Sequence, residues 1–217
     1  LNGVRVAFMP RHGDVHTLPP HRVNYRANVW AMHKLGVTRI VGPSACGSLN
    51  SDIPPGTFVL CDQFVDRTSG REDTFYDGPQ TTHVAGAHPY CPDLRRVLHE
   101  AARAEDIPVR ETGTVVVIQG PRFSTRAESA WFSSFGDVVN MTQYPEAWLA
   151  RELEICYANV SLVTDWDAGV GGVEPVTAEA AISVFNENLG KLRALLIRAA
   201  PQIGPQPDDI CATALSS

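Results

Sequence analysis

Nowhere in its 217 residues does the chain hold an apolar run approaching the roughly 20 residues that cross a bilayer. Nowhere do its 18 lysines and arginines gather into a stripe, so neither a membrane nor a nucleic-acid backbone is an expected partner. Acids outnumber bases, 24 to 18, and a small polar ligand is the better fit. The five cysteines, Cys46, Cys61, Cys91, Cys156 and Cys211, include no C-x-x-C pair, and no histidine stands at metal-ligand spacing from them. A disulfide framework and a zinc site are therefore not expected, and a reduced, cytoplasmic protein is. Internal repeats, low-complexity tracts and long charge runs are also missing. The start, Leu1-Asn2-Gly3, carries no basic n-region, cleavage site or initiator Met, which suggests an untargeted protein whose sequence begins inside a longer one. At 44% apolar and 19% charged residues, the composition is that of one globular domain.

Short apolar runs rich in β-branched residues at 4–9, 39–41, 57–61, 114–118, 138–141 and 158–163 predict buried strands. Between them, 24–35 (closed by Gly36), 92–104 and 145–153 carry helical patterns. Near the end, Thr177 can cap a helix whose apolar positions Ile182, Phe185, Leu189, Leu192 and Leu196 follow helical spacing until Pro201. Strands alternating with helices imply an α/β fold with a mainly parallel sheet covered on both faces. Residues 205–217 read as a loose tail outside the domain. The pattern-poor segments 68–92 and 167–175 are candidate lids over a site.

Four segments at strand ends carry chemistry. Arg11-His12-Gly13, after the first run, offers a cation and an imidazole for an anion. The same triplet opens the histidine phosphatases, but their mechanism needs a later histidine than His99, the last one here. A surface arginine beside a core histidine is the plainer reading. Pro43 to Ser48 forms a small-residue turn that lets backbone N–H groups and a hydroxyl reach a phosphate or sugar, although many tight turns look alike. In Gly120-Pro121-Arg122-Phe123-Ser124 an aromatic ring can stack on a flat base and a hydroxyl can bond its edge, or the Phe can simply pack in a turn. Asp165-Trp166-Asp167 sets two carboxylates at i and i+2, suited to a metal, as in Asp-x-Asp glycosyltransferases, to proton handling, or to an exposed acidic turn.

Taken together and in order, Arg11-His12-Gly13 with His16, Asn24 to Asn28, Ala45-Cys46-Gly47-Ser48-Leu49, Asp62 to Thr68, Phe75-Tyr76-Asp77-Gly78, Gly120 to Ser124, Asn140-Met141-Thr142 and Thr164 to Asp167 resemble the trimeric purine nucleoside phosphorylase family. The resemblance runs from about residue 4 to Gly204. The family's Gly-Gly-Ser/Thr-Gly type turn has no counterpart, so residues 1–204 would form an N-terminally incomplete domain lacking its first strand.

The resemblance implies a single α/β domain with a central, mostly parallel mixed sheet flanked by helices. It also implies phosphorolysis of 5′-methylthioadenosine to adenine and 5-methylthioribose 1-phosphate in purine and methionine salvage. By the same resemblance Arg11, His12, Ser44, the Ala45 backbone and Thr142 would hold phosphate, Met141 would lie on the ribose and Phe123 on the purine. Asp165 would protonate N7, with Asp167 and Ser124 on the base edge, and the two aspartate roles could be exchanged. His16, His83, Ala178, Ala181 and Ile182 would line the pocket for the 5′-substituent, His83 coming from a neighbour in a homotrimer or a multiple of it. Inorganic phosphate would be co-substrate, with no cofactor and no metal. Alternatives are a preference for 6-oxopurine nucleosides, a non-catalytic purine-binding module and an Asp-x-Asp glycosyltransferase.

Overall fold

The computed structural model describes residues 1, 3–79, 81–168, 170, 177–205 and 210–216. Among them seven strands form one sheet in the order β3-β5-β6-β1-β7-β2-β4, with β1 Arg39–Ser48, β2 Phe58–Val59, β3 Gln63–Arg67, β4 Val109–Arg110, β5 Thr114–Ile118, β6 Val138–Asn140 and β7 Cys156–Trp166. The pairs β1/β7, β2/β4, β3/β5 and β5/β6 are parallel, and β1/β6 and β2/β7 are antiparallel. The sheet is thus mixed and mostly parallel.

The first nine residues of β7 are all buried, as a strand covered on both faces must be. Its side chains sort by parity. Tyr157 and Val163 enter one core with Val29 of α1 (Tyr25–Lys34) and Leu149 of α4 (Gln143–Glu152). Cys156, Ala158, Val160 and Leu162 enter a second core with Leu94 and Leu98 of α2 (Pro92–Ala104) and Leu195 of α5 (Ala178–Ala199). Helix α2 buries Leu94, Val97, Leu98, Ala101 and Ala102, the i, i+3, i+4, i+7, i+8 stripe of an amphipathic helix. Thr177 caps α5 as its position predicts, accepting from the Ala180 N–H at 3.2 Å.

Several expectations need correction. Residues 4–9 form no strand: Val6 and Phe8 stand exposed, Phe8 at 82%, and without a ladder partner or a covered face the β-branched run has nothing to stabilise an extended pairing. Arg11 therefore opens a turn over 11–16 and does not end a strand. The segment 43–48, expected as a tight turn, is the second half of β1. Pro43 is tolerated there because β6 pairs only with Gly47 and Ser48, leaving β1 an open flank beside Pro43 where no ladder donor is needed. Strands β3 and β4 and helix α3 (Arg126–Phe132) escape the apolar pattern. The chain end read as loose places Cys211 and Ala214 in buried positions, and the Leu215 N–H donates to Glu154. Of the second lid candidate, only Asp167, Ala168 and Val170 lie within the described residues. Among those residues no helix is long and apolar enough to cross a membrane.

Leu162, 1% exposed, is paired with Ala45 on one side and Phe58 on the other. Leu162→Ala should lower the unfolding free energy by about 2–5 kcal/mol, read from the shift of the urea midpoint at unchanged slope.

Candidate active site

The site begins with a break in a ladder. β1 and β7 pair without interruption from Arg39/Cys156 to Cys46/Val163, and the next pair is Gly47/Asp165, so Thr164 is an extra residue. This bulge re-aims the chain and brings Asp165 against Gly47, where an added Cβ would stand 2.9 Å from Asp165 Oδ1 and 3.4 Å from Asp167 Cβ. Any side chain at 47 would push the acid pair away. The Thr164 hydroxyl donates to Asp165 Oδ2 at 2.7 Å. Burial nevertheless pushes the Asp165 carboxyl up to about 6, with the Thr164 bond opposing and the Asp167 charge adding to the rise.

Asp167 is also raised, chiefly by burial. The Ser129 and Ser124 hydroxyls lie close enough to oppose the shift. Yet among the described residues Asp167 Oδ2, Ser124 Oγ and Ser129 Oγ, all buried, have no partner in hydrogen-bond geometry. Buried polar groups are rarely left so, and two hydroxyls beside a carboxylate offer both donors and acceptors to a polar ligand edge. Phe123, 41% exposed, precedes Ser124 on the loop after β5. Gly120, in the same loop, has φ +62° and approaches Met141 so closely that a Cβ would collide with its sulfur. The 120–124 loop, the end of β6 and the end of β7 thus meet at one margin of the sheet.

On the open flank of β1, Asn140 Nδ2 and Asn159 Nδ2 donate to Ser44 Oγ at 3.2 and 3.1 Å. With its acceptor capacity taken, Ser44 keeps one proton to give, to Ser161 Oγ at 3.3 Å or to an anion. Behind it Ser161 donates to Asn159 Oδ1 at 2.7 Å, Gln143 Nε2 donates to Ser161 at 3.1 Å, and the Tyr90 hydroxyl donates to Gln143. Thr142, buried, stands at the N-terminus of α4.

Arg11 reaches the same flank. Its Nε and Nη2 donate to Glu146 at 2.8 and 2.6 Å, and its Nη1 donates to the Pro43 carbonyl at 2.8 Å. Three of its five N–H groups are thereby used and two remain. Burial opposes the Arg11 charge, but Glu146 outweighs it and the pKa rises. Burial likewise opposes the Glu146 charge, and Arg11 together with Tyr157, which donates to Glu146 at 2.8 Å, lowers it. His12 is held below its usual value, mainly by burial. Its Nδ1 lies 2.8 Å from the Leu18 carbonyl, which fixes the proton on Nδ1 in the neutral ring and leaves a lone pair on Nε2. His16 stacks on His12 with ring centroids 4.3 Å apart.

The structure therefore brings Arg11, His12, His16, Ser44 and Ala45 to one flank and Phe123, Ser124, Asp165 and Asp167 to the margin, with Met141 against the 120–124 loop and Thr142 at the start of α4. His83 is exposed on the 68–91 segment, and Ala178, Ala181 and Ile182 lie on the first turns of α5, Ile182 60% exposed. Among the described residues no hydrogen bond, ion pair or ring contact links these four to the cluster. A groove of about 860 Å³ lined by Leu49, Asn50, Arg126, Phe135 and Ala168 adjoins the cluster but contains none of its side chains. Sequence reading missed Glu146, Asn159 and Ser129, and gave Asn140 no role beyond its place in the Asn140-Met141-Thr142 motif. Only Glu146 had a signal, an acid inside the otherwise apolar stretch 145–150.

Residues 1–200 match the family model described as the phosphorylase superfamily. The chain is 50% identical to S-methyl-5′-thioadenosine phosphorylase of Pyrococcus furiosus over 217 residues, covering all of this chain and 84% of that protein. It is 55% identical to the protein of the same name from Mycolicibacterium smegmatis over 196 residues, 89% of this chain and 73% of that one. The solved methylthioadenosine phosphorylase of Schistosoma mansoni in complex with adenine superposes with a TM-score of 0.89 at 38% identity, covering 96% of this chain and 80% of that one.

Asp165 titrates about 6 when folded against a usual 3.8. The native state therefore holds a proton that the unfolded state has released between those two pH values, and stability falls as pH rises through that window. The full rise corresponds to roughly 3 kcal/mol, as an upper figure. Asp165→Asn should match the parent near pH 4 and exceed it increasingly up to about pH 7. Urea unfolding from pH 4 to 8 checks this, and a pH-independent difference would remove Asp165 as the titrating group.

Proposed function

Because the chain belongs to the phosphorylase superfamily, we propose that it is a pentosyltransferase that cleaves 5′-methylthioadenosine with inorganic phosphate. The products are adenine and 5-methylthioribose 1-phosphate, in purine and methionine salvage. The observation that carries this reading is Asp165, a carboxyl raised to about 6 beside Asp167 at the sheet margin. Such a group can hold a proton near neutral pH and give it to a leaving base.

In this reading phosphate is held by the two remaining Arg11 N–H groups, the Ser44 proton, the Ala45 backbone N–H and Thr142. The lone pair on His12 Nε2 suits the hydroxyl of HPO₄²⁻. Arg11 beside Glu146 is a nearly neutral donor, which leaves the phosphate nucleophilic. A phosphate oxygen bonds to C1′ as the C1′–N9 bond breaks. That electron pair passes into the purine, and N7 takes the proton from Asp165. Met141 lies against the ribose and Phe123 against the ring. Asp167 accepts from the 6-amino group, with Ser124 on the same edge. His16, Ala178, Ala181, Ile182 and a neighbour's His83 surround the methylthio group, where apolar lining disfavours an unpartnered hydroxyl. The working unit is then a homotrimer or a multiple of it, in the cytoplasm, with residues 1–204 supplying the site and no cofactor required. One observation favours a second substrate class: the unpartnered Ser124 and Ser129 hydroxyls can donate to a 6-oxo group, so inosine-type nucleosides are the alternative.

Adenine should appear from methylthioadenosine only when phosphate is present, and EDTA should not slow it. Asp165→Asn should reduce kcat by about 10²–10⁴ while relatively sparing 6-oxopurine nucleosides, since an amide donates to O6. Adenine release without phosphate would overturn phosphorolysis.

The shared pocket is tested by mixing. Asp165→Asn and His83→Ala chains, each impaired alone, should recover activity in mixed rings, because some interfaces then pair an intact Asp165 with an intact His83. Sedimentation should give a trimer or a multiple of it. A fully active monomer, or mixed rings with no recovery, would overturn the shared site.

A further inference from the structure

Cys91, Cys156 and Cys211 come from three distant parts of the chain, yet their sulfurs all lie within 4.8 Å of one another. Spacing in the sequence gave no sign of this. Cys91 is the residue before α2, where its sulfur accepts the Leu94 N–H at 3.5 Å. Cys156 opens β7, and Cys211 comes from the chain end. The first two are fully buried and the third is 3% exposed, and none is in a disulfide. The cluster sits in the apolar core that contains Phe58, Leu94, Leu98 and Leu195. It lies at the far end of β7 from Asp165, nine residues or about 30 Å of extended chain away.

Beside it stands a second feature that the fold does not explain. Arg39 directs Nη1 and Nη2 to Asp93 and Nη2 also to the Pro205 carbonyl, but its Nε is buried and, among the described residues, has no hydrogen-bond partner. Arg39 pairs with Cys156 across the β1/β7 ladder, and its partner Asp93 stands two residues after Cys91 at the start of α2. The cation is thus close enough to the sulfurs to offset negative charge gathered there.

We propose that the three sulfurs form a binding site for a monovalent thiophilic cation of the Cu(I) class, distinct from the phosphorolysis site. Three thiolates around a metal at about 2.3 Å stand about 4 Å apart, which the cluster reaches with small side-chain movements. The donor set is soft, as Cu(I) requires. Among the described residues no fourth Cys, His, Asp or Glu joins the group, whereas a structural zinc site needs four ligands. Occupation would tie the chain end to β7 and α2 without touching the catalytic margin.

The test uses the reduced full chain under anaerobic conditions, titrated with Cu(I) against the competing chelator bicinchoninate. One equivalent should be retained, with thiolate-to-copper absorption in the ultraviolet and X-ray absorption showing three sulfur neighbours. The melting temperature should rise on loading. Cys211→Ser should retain none and show no rise, while adenine release stays at the parent rate. Cys156→Ala serves the same purpose should the first variant fail to fold. Retention unchanged in the variants, no retention against the chelator, or Zn(II) held as tightly as Cu(I) would overturn the assignment. So would a mass 2 Da low in the isolated chain, with a disulfide mapped among these cysteines.

Discussion

The parallel ladder between β1 and β7 runs ten pairs through the middle of the sheet, and the position of nearly every chemically active group follows from it. It sets Ser44 opposite Ser161 and beside Asn159, which turns a surface hydroxyl into a donor with its lone pairs occupied. It also carries Gly47 to Asp165. Because β7 is covered on both faces, the ladder cannot slip without moving a full row of side chains from one core into the other. The precision at the margin is therefore supplied by packing well inside the domain, a cheaper arrangement than fixing loops one against another.

The Arg11–Glu146 pair depends on that ladder, since Arg11 also binds the Pro43 carbonyl on the open flank of β1. Removing one member of a buried pair strands the other's charge, at about 3–5 kcal/mol. Here the pair also sets the electrostatic character of the anion side. Glu146 keeps Arg11 from presenting a full positive charge, and Ser44, its lone pairs occupied, offers a directed proton beside it. In the proposed reading such an arrangement would bind an oxyanion by geometry more than by attraction, which suits a phosphate that must itself act as a nucleophile.

Much of this was legible in the residues. Buried strands at 114–118 and 158–163, the stripe on α2 and the Thr177 cap all follow from local chemistry, and Asp165-Trp166-Asp167 stood out as a carboxylate pair at a strand end. What escaped did so for physical reasons. Residues 4–9 have a strand's composition, but a strand also needs a neighbour, and composition is silent on that. Pro43 and the glycines around it spell a turn unless one knows that β6 stops short and leaves a flank open. Ser129 and Asn159 are ordinary residues made consequential by what folds against them. Cys91, Cys156 and Cys211 converge only because a strand start, a helix cap and the chain end share one core.

The extra residue at Thr164 separates two properties that usually travel together. The last β7 side chain in an apolar core is Val163, before the bulge, whereas Thr164 is a buried polar residue held by the Cys46 carbonyl and Asp165, so its loss would touch hydrogen bonds at the margin and not the apolar packing. A chain lacking that residue would keep the apolar rows of β7 in register. Its two carboxylates would be turned through half a pleat, away from Gly47. Chemistry in this chain is thus encoded by a count of residues past the last core position, and an insertion or deletion there could silence it while leaving the domain intact.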